Sequence, residues 1–107
     1  MSTSKEYVKF ILEQLSALEG ISHRAMMGEY VLYYQGKVVG GLYDNRLLLK
    51  PTEAGRRLLP MGSYERPYDG AKEMLVVDPD DQELLLELLP AMLDELPFPK
   101  PKKKKIG

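Results

Sequence analysis

The chain has 107 residues, 44% apolar and 29% charged, which excludes a disordered polypeptide or a second domain and leaves room for one core between two layers. It lacks cysteine, which removes disulfides, thiolate-bound zinc and thiol nucleophiles and fits a reducing cytoplasm; no apolar run nears the roughly 18–20 residues that span a bilayer, and Met1 to Glu6 do not read as a secretory leader. The net charge of −1 is uneven: Lys100, Lys102, Lys103, Lys104 and Lys105 crowd the last eight residues, and without these five the balance is −6, an acidic body that argues against a broad nucleic-acid face.

The first predicted element is a helix. Thr3 and Glu6 have capping-box spacing, and Val8, Ile11, Leu12, Leu15 and Leu18 then recur at helical spacing along one face. Lys5, Lys9, Glu13 and Gln14 fall largely on the other side, and Gly20 is the predicted stop. From Ser22 to Lys50 the pattern changes to strands. Arg24 to Met27 form a short first strand ending near Gly28, and Tyr30 to Tyr34 are aromatic and β-branched, as strands prefer. Gln35-Gly36 reads as a two-residue hairpin turn, and Asp44-Asn45 as a second. Between them Lys37 to Tyr43 form the return strand, and Arg46 to Lys50 follow. Turns this short force antiparallel neighbours, so the segment is a meander. Gly40-Gly41 inside a strand points to a bulge or to close approach by another backbone, ahead of any ligand contact.

Pro51 to Leu59 form a short second helix capped by Thr52, residues 60 to 70 are loop, and Lys72 to Val77 are the last strand. Asp80 and Glu83 open a final helix to about Glu95, with an apolar stripe of Leu85, Leu88, Leu89, Met92 and Leu96. Pro90 within it predicts a kink or break between Leu86 and Pro90, because proline removes one hydrogen bond and crowds the previous turn. The expected fold is α+β: a two-layer antiparallel sheet with helices on one face, in the order helix, three or four strands, helix, strand, helix. Residues 1–96 form the domain. Residues 97–107, where prolines alternate and then lysines repel one another, are a disordered tail.

One ordered series of residues is more specific. Met27-Gly28-Glu29-Tyr30, Leu32-Tyr33, Gly36-Lys37-Val38-Val39, Asp44-Asn45, Leu47 and Leu49-Lys50-Pro51 lead into Thr52-Glu53-Ala54-Gly55-Arg56, and Pro67-Tyr68 before Gly70-Ala71-Lys72 closes the run. The series resembles the N-terminal domain of the TfoX/Sxy competence-regulator family over roughly residues 5 to 96. That family usually has phenylalanine after the methionine of its glycine turn; here the pair Met26-Met27 precedes Gly28. The resemblance implies a two-layer α/β fold and a link to the regulation of DNA uptake, where longer members have a second domain and work with a catabolite-type transcription activator. It implies no catalytic residues.

The residues themselves offer little chemistry. His23 is the only histidine and sits in a strand beside Arg24, so a hydrolytic triad has no second site to draw on. A metal would have to use carboxylates, yet of Asp78, Asp80 and Asp81 the second is taken by helix capping. Gly40-Gly41 precede more strand rather than a helix, so no phosphate loop forms. We therefore expect no enzyme activity, no cofactor and no metal.

What remains is surface. Tyr30, Tyr33, Tyr34 and Tyr43 lie on neighbouring strands, and Tyr33 and Tyr34 must point to opposite faces. Together with Lys50, Arg56 and Arg57 they form the candidate interaction surface of a docking module, since tyrosine is enriched at protein interfaces. The expected partner is a protein, with a transcription regulator as the class the resemblance implies. A homodimer is a further expectation, because an open sheet has edges to cover. The rival reading is weak, sequence-blind nucleic-acid binding, with the five lysines supplying affinity and exposed tyrosines stacking on bases.

Overall fold

The computed structural model describes residues 3–97. The elements are α1 (Lys5–Gln14), β1 (Ile21–Met26), β2 (Glu29–Tyr34), β3 (Lys37–Leu42), β4 (Leu47–Leu49), α2 (Glu53–Leu58), β5 (Tyr64–Glu65), β6 (Met74–Val76) and α3 (Gln82–Leu93). The strands form one antiparallel sheet in the order β1-β2-β3-β4-β6-β5. Val8, Ile11 and Leu15 from the first helical segment and Leu85, Leu88, Leu89 and Met92 from α3 pack in one core with Leu32, Leu42, Leu47, Leu49 and Leu75 of the sheet. The expected α+β architecture, with helices on one face, is what the chain adopts. The charged tail with its lysines lies outside the described residues.

Three of the tight turns have the same geometry. Met27-Gly28, Gln35-Gly36 and Asp44-Asn45 each take positive φ at both positions, the twist that suits a two-residue hairpin. The first of these joins β1 to β2. It went unread in the sequence because methionine, unlike asparagine or glycine, does not favour that conformation.

The glycine pair has both features expected of it. The β2–β3 register steps from Leu32 opposite Gly40 to Tyr33 opposite Val38, so Val39 is an extra, bulged residue. A Cβ on Gly40 would fall on the Leu48 carbonyl and the Leu49 Cα, so β4 comes too close for any side chain there.

Five local expectations are corrected. Thr3 does not cap α1: Ser4 does, accepting from the Tyr7 N–H at 3.1 Å. The Thr3 hydroxyl is already committed, donating to Glu29 Oε1 at 2.7 Å and accepting from the Asn45 N–H at 3.1 Å. Gly20 does not end α1, which stops at Gln14; tight turns carry Leu15 and Leu18 inward, and Gly20 at φ +90 reverses the chain into β1. Asp81, not Asp80, caps α3, because the Asp78 carboxylate takes the Asp80 N–H and shifts the start by one residue. The helix runs through Pro90 to Leu93 without a break, the ring lying on the exposed side. The stretch 60–70 is not all loop, since Tyr64–Glu65 pair with β6.

Candidate functional site

Strand pairing decides what each tyrosine can do, because directly opposed residues share a face. Tyr34 points into the helix-covered layer and is only 6% exposed, so it belongs to the core and leaves the candidate surface. Tyr30 points the same way, half-buried, with its ring 6.0 Å from that of His23. Tyr33 points to the outer face, opposite Val38, and is half-buried. Tyr43 lies beside the outer face too, its ring 6.4 Å from the ring of Tyr68. Burial, then the neighbouring Tyr68 and Glu29, push its hydroxyl above the ordinary tyrosine range. It stays protonated at neutral pH and keeps a donor beside an apolar groove.

The groove lies on the outer face of the sheet. It encloses about 390 Å³ between the β1–β2 hairpin and the loop at Pro67-Tyr68, with Met26, Met27, Val31 and Tyr43 on its walls. Met27 is 97% exposed at the turn tip, Tyr68 is 64% exposed and Met26 50%. Among the described residues these are three of the four large hydrophobic side chains left in solvent; Met61 is the fourth. Arg46 holds the loop in place, its guanidinium meeting Glu65 at 2.6 Å and the Tyr43 carbonyl at 3.1 Å.

Lys50 borders a second groove of about 330 Å³ that shares Tyr43, Pro67 and Tyr68 with the first and adds Val38 and Lys72. Arg56 and Arg57 are exposed on α2, a helix that packs against α3, and Arg56 approaches Glu53 at 3.8 Å. The structure therefore brings Tyr30 and Tyr43 to the groove, joins Lys50 to it through the shared Tyr43, leaves Tyr33 on the same outer face, and sets Arg56 and Arg57 apart on α2.

Met26, Met27 and Tyr68 were not picked out as a surface in the sequence. The available signal was a hydrophobe at a turn position, which serves no core. His23 makes no hydrogen bond or ion pair with the described residues. No three histidine or carboxylate side chains converge among them, and Asp78 and Asp81 each accept one backbone N–H through Oδ1. No helix there is long and apolar enough to cross a membrane.

The residues that carried the family resemblance have structural duties. Glu29 Oε1 accepts from Thr3 and from the Asp44 N–H at 3.0 Å, Asn45 Oδ1 accepts from the Ser4 N–H at 3.0 Å, and the Gly28 carbonyl takes the Thr3 N–H at 3.0 Å. The glycine turn and the Asp44-Asn45 turn thus clasp the start of α1 between them. The specificity of the series thus has a structural origin in these long-range contacts.

Comparison with known proteins bears on the family. The chain is 41% identical over 107 residues to an "Uncharacterized 12.7 kDa protein in trpE 5'region" of Spirochaeta aurantia, covering 98% of this chain and 93% of that one. No solved structure matches it. The model of the TfoX N-terminal domain matches residues 13–86, which takes in the sheet, the clasping turns and the start of α3, and the chain belongs to that family.

Proposed function

We propose that this protein is a non-catalytic regulatory module that works by docking a protein partner against the outer face of its sheet. The observation that carries the reading is the gathering of Met26, Met27 and Tyr68 around one groove, since exposed apolar patches on small monomers mark interaction sites. Met27 adds weight to it. A methionine at φ +51 costs backbone strain, and at the turn tip its side chain contributes nothing to the core. Strain without packing gain is the mark of a residue kept for contact. Family membership extends the proposal to regulation of DNA uptake through a transcription regulator as partner.

Affinity capture from nuclease-treated lysate tests it, using the full chain, a form ending at Phe98, and Met27→Asp. The expected result is one protein retained by the full and shortened chains and lost by the variant. Capture only before nuclease treatment, and only by the chain with its lysines, would replace docking with nucleic-acid binding.

A further inference from the structure

The sheet has two edges of very different length: β5, with two residues, and β1, with six. The turn at Met27-Gly28 sets the hydrogen-bond phase of β1. Residues flanking a two-residue hairpin loop exchange both backbone bonds, so Met26 and Glu29 are a bonded pair, as are Arg24 with Val31 and Ser22 with Tyr33. The Gln35 N–H, donating to the Gly20 carbonyl at 2.9 Å, continues the same alternation. Ile21, His23 and Ala25 therefore turn their N–H and C=O groups outward, away from β2. From Ser22 to Met26 every residue of the strand is exposed. A full row of backbone donors and acceptors stands open along the molecule's long edge.

The side chains of the same three residues lie on the helix side, where α1 overhangs the edge. Lys5 and Lys9, one turn apart, bound a groove of about 320 Å³ whose walls include Val8, Leu12, His23 and Tyr30. Neither lysine, nor Arg24 on the other face, is in an ion pair among the described residues. The groove's lining holds both lysines and no carboxylate, so the groove is locally cationic on a chain otherwise rich in acid.

We infer that the β1 edge is a strand-addition site for an extended acidic segment of a partner protein, a docking surface separate from the outer-face groove and standing independently of it. A strand added about 4.8 Å beyond β1 would hydrogen-bond to Ile21, His23 and Ala25. Every second side chain would fall beside Lys5 and Lys9, where carboxylates fit. A polyanion without a peptide backbone would meet the lysines but leave the open backbone row unmatched. A second copy of this chain fits worse. Two β1 strands related by a two-fold axis normal to the sheet must centre on one residue, and full overlap centres on His23 or Arg24. That sets two rings or two guanidiniums face to face, with both copies' Lys5 and Lys9 brought together, and like charges directly opposed are destabilising.

The test is a titration of the full isotope-labelled chain, followed by amide NMR, with a short peptide alternating glutamate and valine. The same peptide with lysine for glutamate, and one N-methylated at alternate amides, serve as controls. We expect the Ile21, His23 and Ala25 amides to shift and their hydrogen exchange to slow with the acidic peptide alone. Lys5→Glu with Lys9→Glu, both on the surface, should weaken binding about tenfold or more. Ala25→Pro removes an outward N–H while leaving the ladder to β2, and should abolish it. Equal binding of the lysine or N-methyl peptide overturns the inference, as does binding without response at β1. A shift of the β1 amides with protein concentration alone would put a second copy on the edge and overturn it too. If the acidic peptide leaves the β1 amides unmoved while Met27→Asp still loses the lysate partner, the edge proposal falls and the docking reading stands. If the acidic peptide binds at β1 but no partner is captured on the outer face, the edge stands and the groove reading falls.

Discussion

Tyr64 carries a buried hydroxyl that has no hydrogen-bond partner among the described residues. Such a group gives up its water without replacement, at a cost of about 1–3 kcal/mol. Its ring packs against the core, and that contribution survives if only the oxygen is removed. Tyr64→Phe should therefore raise stability by about 1 kcal/mol in urea unfolding, with no change in fold. Met27 is the second residue whose local state is unfavourable. Met27→Asn suits the left-handed turn and should raise stability by about 0.5–1 kcal/mol, while weakening capture of the partner. A variant more stable and still fully able to bind would remove Met27 from the docking surface.

At the scale of the element, the bulge and the glycine pair set how β3 lies against β4. The bulged Val39 turns its carbonyl toward the Lys50 N–H at 2.8 Å and its side chain into the core. Gly40 then passes so close to β4 that no Cβ fits. Gly40→Ala must push one strand aside, and the expected loss is about 1–3 kcal/mol by thermal or urea unfolding. The glycines read in the sequence as weak points of a strand are the positions where two backbones meet. A substitution tolerated without loss would mean that the β3–β4 approach is looser than described.

For the molecule as a whole, Glu95 ties the chain's last described turn to α2. Its carboxylate accepts from the Glu53 N–H at 2.7 Å and the Ala54 N–H at 2.9 Å, filling the helix N-terminus. These two bonds hold its pKa below the ordinary carboxylate value of 4.5, with Arg57 and Arg56 adding to the effect. A carboxyl depressed in the folded state stabilises the protein at pH above its unfolded value, and that stabilisation is lost as pH falls through the lower, folded value. Glu95→Gln should thus be less stable than the parent at neutral pH, and the gap should close in acid. A gap independent of pH would mean that the charge on Glu95 contributes nothing beyond its shape.

Local rules were legible in the residues alone. Period-two alternation put Tyr33 and Tyr34 on opposite faces, three-and-four spacing found the stripe of Leu85, Leu88, Leu89, Met92 and Leu96, and Gln35-Gly36 and Asp44-Asn45 marked their turns, because each depends only on neighbours in the chain. Which face the helices would cover was not legible, so neither was the burial of Tyr34. Nor was the clasp of Thr3, Glu29 and Asn45, whose bonds span 26 to 42 residues, nor the Glu95 cap, 41 and 42 residues from its donors. Caps and surfaces of this kind are assigned by whichever polar group or apolar side chain the packed layers bring within reach. Sequence by itself therefore determined most of the elements, the turns at Gln35-Gly36 and Asp44-Asn45 and the family; the tertiary structure decided where the helices end, that Tyr64-Glu65 pair as a strand, and which residues remain at the groove and at the β1 edge, because exposure is what packing leaves over.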